Sequence, residues 1–538
     1  MRWWGWGEDA HAIELPSAAE ARLYKELEMQ PGARTARVEL GDVRLPEPAL
    51  PEPLRKRLDG MEVLEDRATR VSHALGKSYP DLVRIRSGDG SSAPDAVVRP
   101  GSLEEVSELL AACSASETAV VPFGAGSSVV GGVEPVRDGF AAALSLDLSR
   151  LDGVLDVDRE SLTVKVDPGL FGPALEARLQ ARGLTLGHFP QSFEYSTVGG
   201  WVATRSAGQA STGYGRIDEL VEGVRCIAPG GELAARPLPA SAAGPALREL
   251  LVGSEGVLGV LCDVTLRVRP LPTASRYEGW SFRSFEEGWE TLRQLEQGGL
   301  SPDVARLSDE HETRLSLALS GSGSAAERAG LAYLGLRGHA GGCIAIIGFE
   351  GSPETVRRRR DAAAEALREG GAVGLGSRPG RSWLRSRFST PYLRDELLDR
   401  GVLVETLETA ATWSGLAPLY EAVGSALRET LSARDTPPLV MCHVSHLYPS
   451  GASLYFTFLA RQQRGEELEQ WRAAKHAACD AIVAAGGTIT HHHGVGRDHA
   501  PWMGAEVGEK GLDVLRAAKE QLDPGGIMNP GKLLPAAT

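Results

Sequence analysis

Four short stretches rich in glycine, serine and threonine lie close together in the sequence, and they restrict the fold more than any other feature. They are PFGAGSSV at residues 122–129, QSFEYSTVGG at 191–200, TRSAG at 204–208 and GSEGVLGV at 253–260. One such stretch is usually a turn, but small residues let successive backbone N–H groups converge on a pyrophosphate. Four of them within one segment of strands and helices predict a site for a large, extended dinucleotide.

The first stretch does not follow the Rossmann pattern, although it comes after a predicted strand. A GxGxxG fingerprint that starts at Gly124 needs a glycine at position 129, which is Val129 here. The residues that follow, GGVEP at 131–135, do not start a helix. The dinucleotide is therefore expected to lie along backbone amides, with the hydroxyls of Ser127 and Ser128 as further donors.

The distribution of apolar, polar and helix-breaking residues divides the chain into four parts. Residues 1–90 predict irregular segments and short helices, and the tryptophan-rich start at 2–7 is interpreted as an anchor that docks on the body of the protein. Residues 91–271 alternate strands and helices. Residues 272–460 predict a mainly antiparallel sheet covered by helices. Residues 461–538 are expected to be helical around a glycine- and histidine-rich loop, which makes the fold class α+β.

The composition excludes several classes of protein. Asp plus Glu outnumber Lys plus Arg by 71 to 57, and the net charge of −14 argues against nucleic-acid binding. The six cysteines include no CxxC pair, which indicates reduced thiols rather than a disulfide framework. The sequence contains no apolar run long enough to cross a bilayer and no secretory signal peptide. A cytoplasmic protein is expected.

The glycine-rich stretches resemble the FAD-binding domain of the vanillyl-alcohol-oxidase-type flavoproteins, through PFGAGSSV, STVGGW and GSEGVLGV. The resemblance implies a two-subdomain FAD-binding domain followed by a cap domain. It also implies bound FAD, and non-covalent binding is expected because the first stretch contains no histidine. The implied cofactor-binding residues are Pro122, Phe123, Gly124, Ala125, Gly126, Ser127, Ser128, Gln191, Ser192, Phe193, Glu194, Tyr195, Ser196, Thr197, Thr204, Arg205, Ser206, Ala207, Glu255, Gly256, Val257, Leu258, Gly259, Val260 and Leu261.

Three adjacent histidines, His491, His492 and His493, stand between a predicted helix and a glycine turn. Imidazole titrates near neutral pH and also binds metals, so the cluster indicates either proton transfer or a metal site. Adjacent side chains cannot all point the same way, so at most two are expected to reach one reacting centre.

Comparison with the flavin-dependent 2-hydroxyacid dehydrogenases argues against the metal site. His443 matches the first metal-binding histidine of that family, but Tyr455 stands where the second is expected. His492 takes the place of the family's glutamate. A divalent metal would lose a carboxylate and an imidazole ligand together, so no metal is expected.

A second set of motifs, spread over nearly the whole chain, is similar to the alkyldihydroxyacetonephosphate synthase family. The motifs are RWWGWG at 2–7, HFPQSFEYSTVGGW at 188–201, ARLSDE at 305–310, YLRDELL at 392–398, CHVSHLYPSGASLYF at 442–456 and THHHGVG at 490–496. Members exchange the acyl chain of acyl-dihydroxyacetone phosphate for a fatty alcohol. They use FAD with no net oxidation, and they form the ether bond of ether lipids.

The synthase resemblance implies a role for each candidate residue. Tyr455 is the expected base, Arg394 the phosphate ligand and Arg306 an arginine near flavin and substrate; the three histidines complete the active site. Because a phenol with a pKa near 10 is a weak base, its neighbours are expected to lower the pKa of Tyr455. The structural alternatives are a tyrosine packed in the sheet and arginines that serve only in salt bridges.

The resemblance also sets the expected partners and the competing functions. It implies acyl-dihydroxyacetone phosphate and a long-chain fatty alcohol as substrates, contact with a membrane surface, and a homodimer. The C-terminus carries no clear peroxisomal signal. The alternatives are a flavin-dependent oxidation of a 2-hydroxy acid and a flavin-binding scaffold without activity.

Overall fold

The N-terminal part of the chain is a series of short elements separated by proline-containing segments. The computed structural model describes residues 1–30, 32, 34–320 and 325–535. The first elements are α1 (Ser17–Glu26), α2 (Glu52–Arg57), β1 (Glu62–Leu64), α3 (Arg67–Ser72) and α4 (Tyr79–Arg86). Helix α4 starts at a capping box, because the Ser78 hydroxyl accepts from the Asp81 N–H and the Asp81 carboxylate accepts from the Ser78 N–H.

The first glycine-rich stretch follows a buried parallel strand. The elements are β2 (Ala96–Arg99), α5 (Leu103–Ala115), β3 (Thr118–Phe123) and β4 (Ala142–Asp147). The strand order is β1-β2-β4-β3, with β2, β4 and β3 parallel and β1 antiparallel. Since β3 ends at Phe123, residues 124–128 lie at the carboxyl edge of the sheet, where open α/β sheets bind their ligands.

A second, antiparallel sheet completes the FAD-binding part. Its strands are β5 (Val154–Asp158), β6 (Thr163–Val166), β8 (Val221–Ala228), β9 (Gly231–Ala235) and β10 (Val260–Arg267), in the order β5-β6-β10-β8-β9. A short pair is formed by β7 (Leu184–Thr185) and β11 (Arg269–Pro270). The helices between these strands are α6 (Gly172–Gln180), α7 (Val198–Ala203), α8 (Ser211–Tyr214), α9 (Ile217–Leu220) and α10 (Arg248–Leu251).

The cap is built on one antiparallel sheet. Its strands are β12 (Ala274–Phe282), β13 (Val304–Ser308), β14 (Cys343–Gly351), β15 (Val373–Gly376), β16 (Val402–Thr412), β17 (Leu439–Tyr448) and β18 (Gly451–Arg461), in the order β15-β12-β14-β13-β17-β18-β16. Its helices are α11 (Phe285–Gln297), α12 (Glu310–Ser320), α13 (Ala325–Leu336), α14 (Pro353–Glu369), α15 (Ser377–Ser386), α16 (Thr390–Asp399) and α17 (Leu416–Ser432).

The two faces of the cap sheet differ because successive strand residues point to opposite sides. On one face, apolar residues such as Phe282 and Phe456 form a core with α11, α14 and α17. The other face carries polar side chains toward the FAD-binding part. Helix α15 lies on this second face, where a Cβ at Gly380 would be only 2.4 Å from the backbone of Tyr277. The cap helices therefore do not all cover the same face.

The C-terminal part connects the cap to the first sheet. It contains α18 (Glu467–Ala484), the histidine loop and α19 (Met503–Leu522). Beyond α19 the chain pairs with β3, because Val120 donates to the Ile527 carbonyl at 2.8 Å and accepts from Asn529 at 2.8 Å. Residues 536–538, at the C-terminus on which the peroxisomal-signal interpretation was based, lie outside the described residues.

The predicted α+β class, with a two-sheet FAD-binding part and an antiparallel cap, is confirmed. Among the described residues, no helix combines the length and the apolar composition that a bilayer crossing requires.

Candidate active site

Strand register brings residues of two predicted motifs onto one face of the cap sheet. Tyr455 of β18 lies opposite His443 of β17 on one side and Glu408 of β16 on the other. His443 also lies opposite Ser308 of β13, two residues after Arg306. Residues opposite one another in a sheet share a face, so all these side chains project toward the FAD-binding part.

Arg306, His443 and Glu312 form a partly buried ionic group beside Tyr455. Arg306 Nη1 lies 2.9 Å from His443 Nε2, and Arg306 Nη2 donates to Glu312 Oε1 at 2.7 Å. His443 Nδ1 is 3.2 Å from the same carboxylate oxygen. Burial opposes ionisation of Glu312, but His443 and Arg306 outweigh it and hold the pKa of the carboxyl at about 2. Arg306 therefore forms a salt bridge with Glu312 and also contacts His443, which lies against Tyr455.

Tyr455 lies among imidazole rings. Its ring stacks on His443 with centroids 4.8 Å apart at 19°, and the rings of His493 and His492 are 5.5 and 6.0 Å away. The expectation that these neighbours lower its pKa is wrong. Burial raises the pKa of Tyr455 to about 12, and the opposing hydrogen bond with Thr406 is the smaller effect. At neutral pH this side chain is a phenol, able to donate a hydrogen bond.

One carboxylate, that of Glu408, organises the histidine loop. Its oxygens accept from the backbone N–H groups of His491, His492 and His493, with His493 at 2.7 Å and His492 at 3.1 Å, and from the Thr490 hydroxyl at 2.8 Å. Burial alone would raise the pKa of Glu408, which is 1% exposed, but the three histidines hold it below its ordinary value. An ionised carboxylate therefore fixes the backbone of all three histidines.

The three imidazoles point in different directions. His492 and His493 face Tyr455, whereas His491 Nε2 lies 2.6 Å from the Tyr448 hydroxyl and its Nδ1 lies 2.9 Å from His492 Nδ1. Burial has the largest effect on all three rings, and it lowers the pKa of each. The next largest effect on His491 is the charge of His492, which lowers its pKa further. For His492 and His493 it is the charge of Glu408, which raises the pKa. Neutral imidazoles can accept protons.

A different set of histidines has donor atoms close enough to be considered for a metal. In the described part of the chain, atoms of His446, His491 and His492 lie within 4.8 Å of one another. The rings of His446 and His491 are nearly parallel at 5.0 Å, and His446 Nδ1 is 2.7 Å from the Ser211 hydroxyl. Imidazole lone pairs lie in the ring plane, so two parallel rings do not converge on one ion. The absence of a metal stays a prediction.

Arg394, the predicted phosphate ligand, lies on α16. Its Nη1 donates to the Lys77 carbonyl at 2.6 Å, but its Nε and Nη2 are buried without a hydrogen-bond partner among the described residues. It has no ion pair in that part of the chain, so the salt-bridge alternative for Arg394 is not what the structure shows. A buried guanidinium with two free donors matches the geometry of a phosphate.

The first glycine-rich stretch fits the diphosphate of a dinucleotide. Among the described residues, none of the backbone N–H groups from Gly124 to Ser128 donates to a protein acceptor. Such a run of free N–H groups at the end of a strand forms an anion-binding concavity. The stretch also touches the second one, since a Cβ at Gly124 would lie 2.3 Å from Thr197 Oγ1. The residues present therefore fit FAD.

The other predicted cofactor residues have varied surroundings. The side chain of Arg205 is engaged by Asp218 at 3.2 Å and Glu249 at 3.0 Å. The Glu255 carboxylate accepts from Val495 at 2.6 Å and Gly496 at 2.8 Å, so it holds the end of the histidine loop. Burial raises the pKa of Glu255 to about 7.

Several other predicted cofactor residues contact neighbouring protein groups. The Phe123 ring packs against His73 at 4.2 Å with a tilt of 40°, and the Phe193 ring stacks on Trp201. Gln191 donates to the Arg387 carbonyl, Ser192 donates to Ser196, Tyr195 accepts from Tyr392, Thr204 donates to the Gly200 carbonyl, Ser206 contacts His188, and Val260 and Leu261 lie in β10.

The sequence did not indicate Glu408, Glu312 or Lys77. Glu408 and Glu405 are three residues apart in β16, so they lie on opposite faces and form no pattern. Only the pairing of β16 with β18 places Glu408 beside Tyr455.

Two family models match the chain. An FAD binding domain matches residues 94–235, and the C-terminal domain of FAD linked oxidases matches residues 271–533. Alkyldihydroxyacetonephosphate synthase of Dictyostelium discoideum is 36% identical over 481 residues, 88% of this chain and 79% of that protein. The chain belongs to the alkyldihydroxyacetonephosphate synthase family.

Two further members of the family agree with this assignment. The synthase of Trypanosoma brucei brucei is 32% identical over 569 residues, 100% of this chain and 92% of that protein. A solved structure titled alkyldihydroxyacetonephosphate synthase has a TM-score of 0.86 and 31% identity, over 99% of each chain. The predicted family and the FAD cofactor are confirmed.

Proposed function

We propose that this chain uses FAD to exchange the acyl chain of acyl-dihydroxyacetone phosphate for a fatty alcohol. An ester becomes an ether without net oxidation, which is the alkylglycerone-phosphate synthase step of ether-lipid biosynthesis. Family membership supports this reaction over the oxidation of a 2-hydroxy acid. The observation that carries the assignment is the buried guanidinium of Arg394, whose two free donors suit the phosphate of this substrate.

The reaction divides between cofactor and protein. FAD, when bound, supplies the reactive centre that retains the dihydroxyacetone phosphate carbon while the fatty acid leaves. The protein has to bind the phosphate, remove a proton from C1, and handle the protons of the acid and the alcohol. We assign the first task to Arg394 and the others to Tyr455, His492 and His493.

Tyr455 acts as a proton relay in this proposal rather than as a preformed base. With a pKa of about 12, forming a free phenolate at neutral pH costs about 7 kcal/mol. The neutral rings of His492 and His493 provide an acceptor beside it. The phenol passes its proton to an imidazole as it takes the C1 proton, so no isolated phenolate forms.

Glu408 stabilises the histidines when one of them becomes charged. Its carboxylate is 3.6 Å from the Nδ1 atoms of both His492 and His493. A buried imidazolium needs a nearby counter-charge. Arg306 holds His443 against Tyr455 and is assigned a place near flavin and substrate.

The test uses the FAD-loaded protein under anaerobic conditions. Palmitoyl-dihydroxyacetone phosphate should change the flavin spectrum, and labelled hexadecanol should then enter an ether product. Full bleaching by a 2-hydroxy acid, without ether formation, would assign the oxidising alternative. No turnover with either substrate would leave only the flavin-binding scaffold.

We also propose that FAD is bound without a covalent link. Residues 122–132 contain no histidine that could tether it. Acid precipitation of the protein should release all of the flavin into the supernatant, whereas yellow colour in the pellet would contradict the proposal.

Contact with a membrane surface is supported by the charge of α15. Residues 370–394 contain five arginines and no Asp or Glu, in a chain of net charge −14. Arg378, Arg381 and Arg385 are exposed and have no ion pair in the part that the structure describes. The helix lies on the active-site face of the cap and leads through residues 387–389 to α16. These positions suit contact with anionic lipid headgroups.

Vesicle sedimentation tests this surface. Replacing the three α15 arginines by serine should reduce binding to phosphatidylglycerol-containing vesicles on the order of 100-fold. The control is serine at Arg357 and Arg358, which are also exposed and unpaired in the described part, on α14. Equal loss in both variants would contradict a docking role for α15.

The remaining assignments are proposals that rest on the sequence patterns and on the family resemblance. We propose a cytoplasmic homodimer, and light scattering of the purified protein tests the oligomeric state. We also propose functional parts at 1–90, 91–271, 272–460 and 461–538, with the histidine loop of the last part completing the active site.

A further inference from the structure

Lys77 is a buried cation that lies between the cofactor stretch and Arg394. Its backbone N–H donates to the Ser128 carbonyl at 2.6 Å, and its own carbonyl accepts from Arg394 Nη1 at 2.6 Å. The residue is 5% exposed. Hydrogen bonds to both its N–H and its carbonyl therefore hold the Lys77 backbone between the cofactor stretch and Arg394.

The ammonium of Lys77 has one donor left over. Nζ donates to the carbonyls of Arg2 at 2.9 Å and Trp3 at 3.1 Å. An ammonium has three N–H donors, so two carbonyls do not use all of them. Among the described residues Lys77 has no ion pair, and neither does Arg394.

The carboxylate beside Arg394 in the sequence, that of Asp395, is shared with the N-terminal segment. Its Oδ2 accepts from Arg2 Nη2 at 2.8 Å and from the Trp6 N–H at 2.7 Å, whereas its Oδ1 has no hydrogen-bond partner among the described residues. Burial, followed by the positive charge of Arg394, lowers the pKa of Lys77 to about 8, so most of it is still charged at pH 7. Two adjacent buried cations thus lack a protein anion that belongs to them alone.

We propose that Lys77 is a second phosphate ligand of the substrate, held in position by the N-terminal segment at residues 2–7. This inference rests on the proposed function and deepens it. A phosphate monoester is mostly a dianion at neutral pH, and it matches one guanidinium and one ammonium in charge. The remaining Lys77 donor and the Nε and Nη2 donors of Arg394 would all bind its oxygens.

The N-terminal segment is built to hold Lys77 in place. The Trp4 ring contacts the guanidinium groups of Arg2, at 4.3 Å, and Arg37, at 3.7 Å. Gly7 has φ +62°, and a Cβ there would lie 2.0 Å from the Tyr392 hydroxyl of α16. The tryptophan-rich start docks on the body as the sequence predicted, and in this proposal it also positions a ligand-binding lysine.

The test compares Lys77→Met with Lys77→Arg in the FAD-loaded protein. Loss of a hydrogen bond to a charged group corresponds to a change of about 10- to 100-fold. Lys77→Met should raise the KM for acyl-dihydroxyacetone phosphate by that factor and change kcat less than threefold, about the spread expected for an unaffected chemical step. Lys77→Arg should restore most of the affinity, since it keeps the charge.

Lys532→Met is the matched control for loss of a buried lysine. Lys532 is 1% exposed and, like Lys77, donates to two backbone carbonyls, those of Glu134 at 2.5 Å and Pro530 at 3.0 Å. It should leave the KM unchanged. An unchanged KM in Lys77→Met, or an equal rise in Lys532→Met, would overturn the proposal.

Inorganic phosphate separates this inference from the proposed function. Its dissociation constant, measured by the change in flavin absorbance or by calorimetry, should rise in Lys77→Met even if no lipid substrate is turned over. Wild-type protein that binds phosphate through Lys77 but makes no ether would reject only the proposed reaction. Phosphate binding that does not depend on Lys77 would contradict the assignment of Lys77 as a second phosphate ligand.

A glycine pair tests the N-terminal segment. Gly7→Ala places its Cβ against Tyr392, whereas Gly60→Ala adds one at φ +95° with nothing within 4 Å. Both carry the backbone strain of a positive φ. Only Gly7→Ala should raise the KM for the phosphate substrate; equal KM values in the two variants would show that the segment does not position Lys77.

Discussion

At one end of the candidate site three histidines surround a buried carboxylate, and at the other end two buried cations have no carboxylate of their own. At the first end Glu408 receives the backbone donors of all three histidines. At the second end Arg394 keeps two donors without a partner among the described residues. A polar group left unpaired in the interior destabilises the free protein.

The difference separates two tasks. Groups that move protons keep their protein partners throughout turnover, because their geometry has to be fixed before substrate arrives. Groups that bind substrate keep hydrogen-bond donors free in the empty site, because the substrate supplies the acceptors. Four substitutions test whether the two ends differ in this way.

The largest effect is expected at Tyr455. Tyr455→Phe removes the hydroxyl and keeps the ring stacked on His443, so kcat should fall by about 10³-fold with little change in KM. The control is Tyr420→Phe, a tyrosine of the core face whose hydroxyl contacts Asp309 at 3.3 Å. Wild-type turnover by Tyr455→Phe would remove the relay.

Arg394→Met should mainly affect binding. Two lost donors to a phosphate correspond to at least about 100-fold in kcat/KM, with FAD content unchanged. Arg400→Met, at the end of the same helix, removes a buried arginine that is paired with Glu20 and Glu396. A matching loss of kcat/KM in Arg400→Met would show that the loss comes from disturbing α16 and not from removing the unpaired donors of Arg394.

Glu408→Gln should lower kcat by about 10- to 100-fold, because an imidazolium formed during turnover loses its counter-charge. The charge of Glu408 raises the pKa of His492 and His493 against the effect of burial. Without it their pKa falls further, so the acid limb of the pH–rate profile should move to lower pH.

Glu405→Gln is the control for this prediction. Glu405 is a buried carboxylate on the same strand that faces away from the histidines and accepts from Trp471 at 2.6 Å. An identical pH profile in Glu408→Gln and the wild type would contradict the counter-charge role.

The smallest effect on turnover is expected at Glu255, the second carboxylate of the histidine loop, where stability changes instead. Burial raises its folded-state pKa to about 7, above the unfolded value of 4.5. The folded state therefore binds more protons than the unfolded state between these values, and stability falls as pH rises through that window. Glu255→Gln should remove this decline, a difference of up to about 3 kcal/mol. Parallel wild-type and variant curves of melting temperature against pH would contradict it.

Features that are local in sequence could be predicted from the sequence. The glycine-rich stretches and the three adjacent histidines are contiguous, and each motif carries its own chemical meaning. The antiparallel cap followed from alternating strands and long helices. These patterns depend on residues a few positions apart, which a single sequence displays directly.

Features that depend on distant contacts could not be predicted. Glu408 matters because β16 pairs with β18 in one register, and Lys77 because its peptide unit meets Arg394 more than 300 residues away. The wrong expectation for the pKa of Tyr455 has a similar origin. Its neighbours were identified correctly, but burial was the larger effect, and burial is a property of the whole fold.

The return of the chain to β3 has a consequence for how the protein is made. Val120 is bonded on both its N–H and its carbonyl to residues 527–529, which are synthesised about 400 residues later. The edge of the first sheet is therefore incomplete until these residues have emerged from the ribosome, although most of the cofactor-binding part has emerged long before. Stable flavin binding is expected to wait for them, and ribosome-bound chains lacking these residues should not retain the flavin.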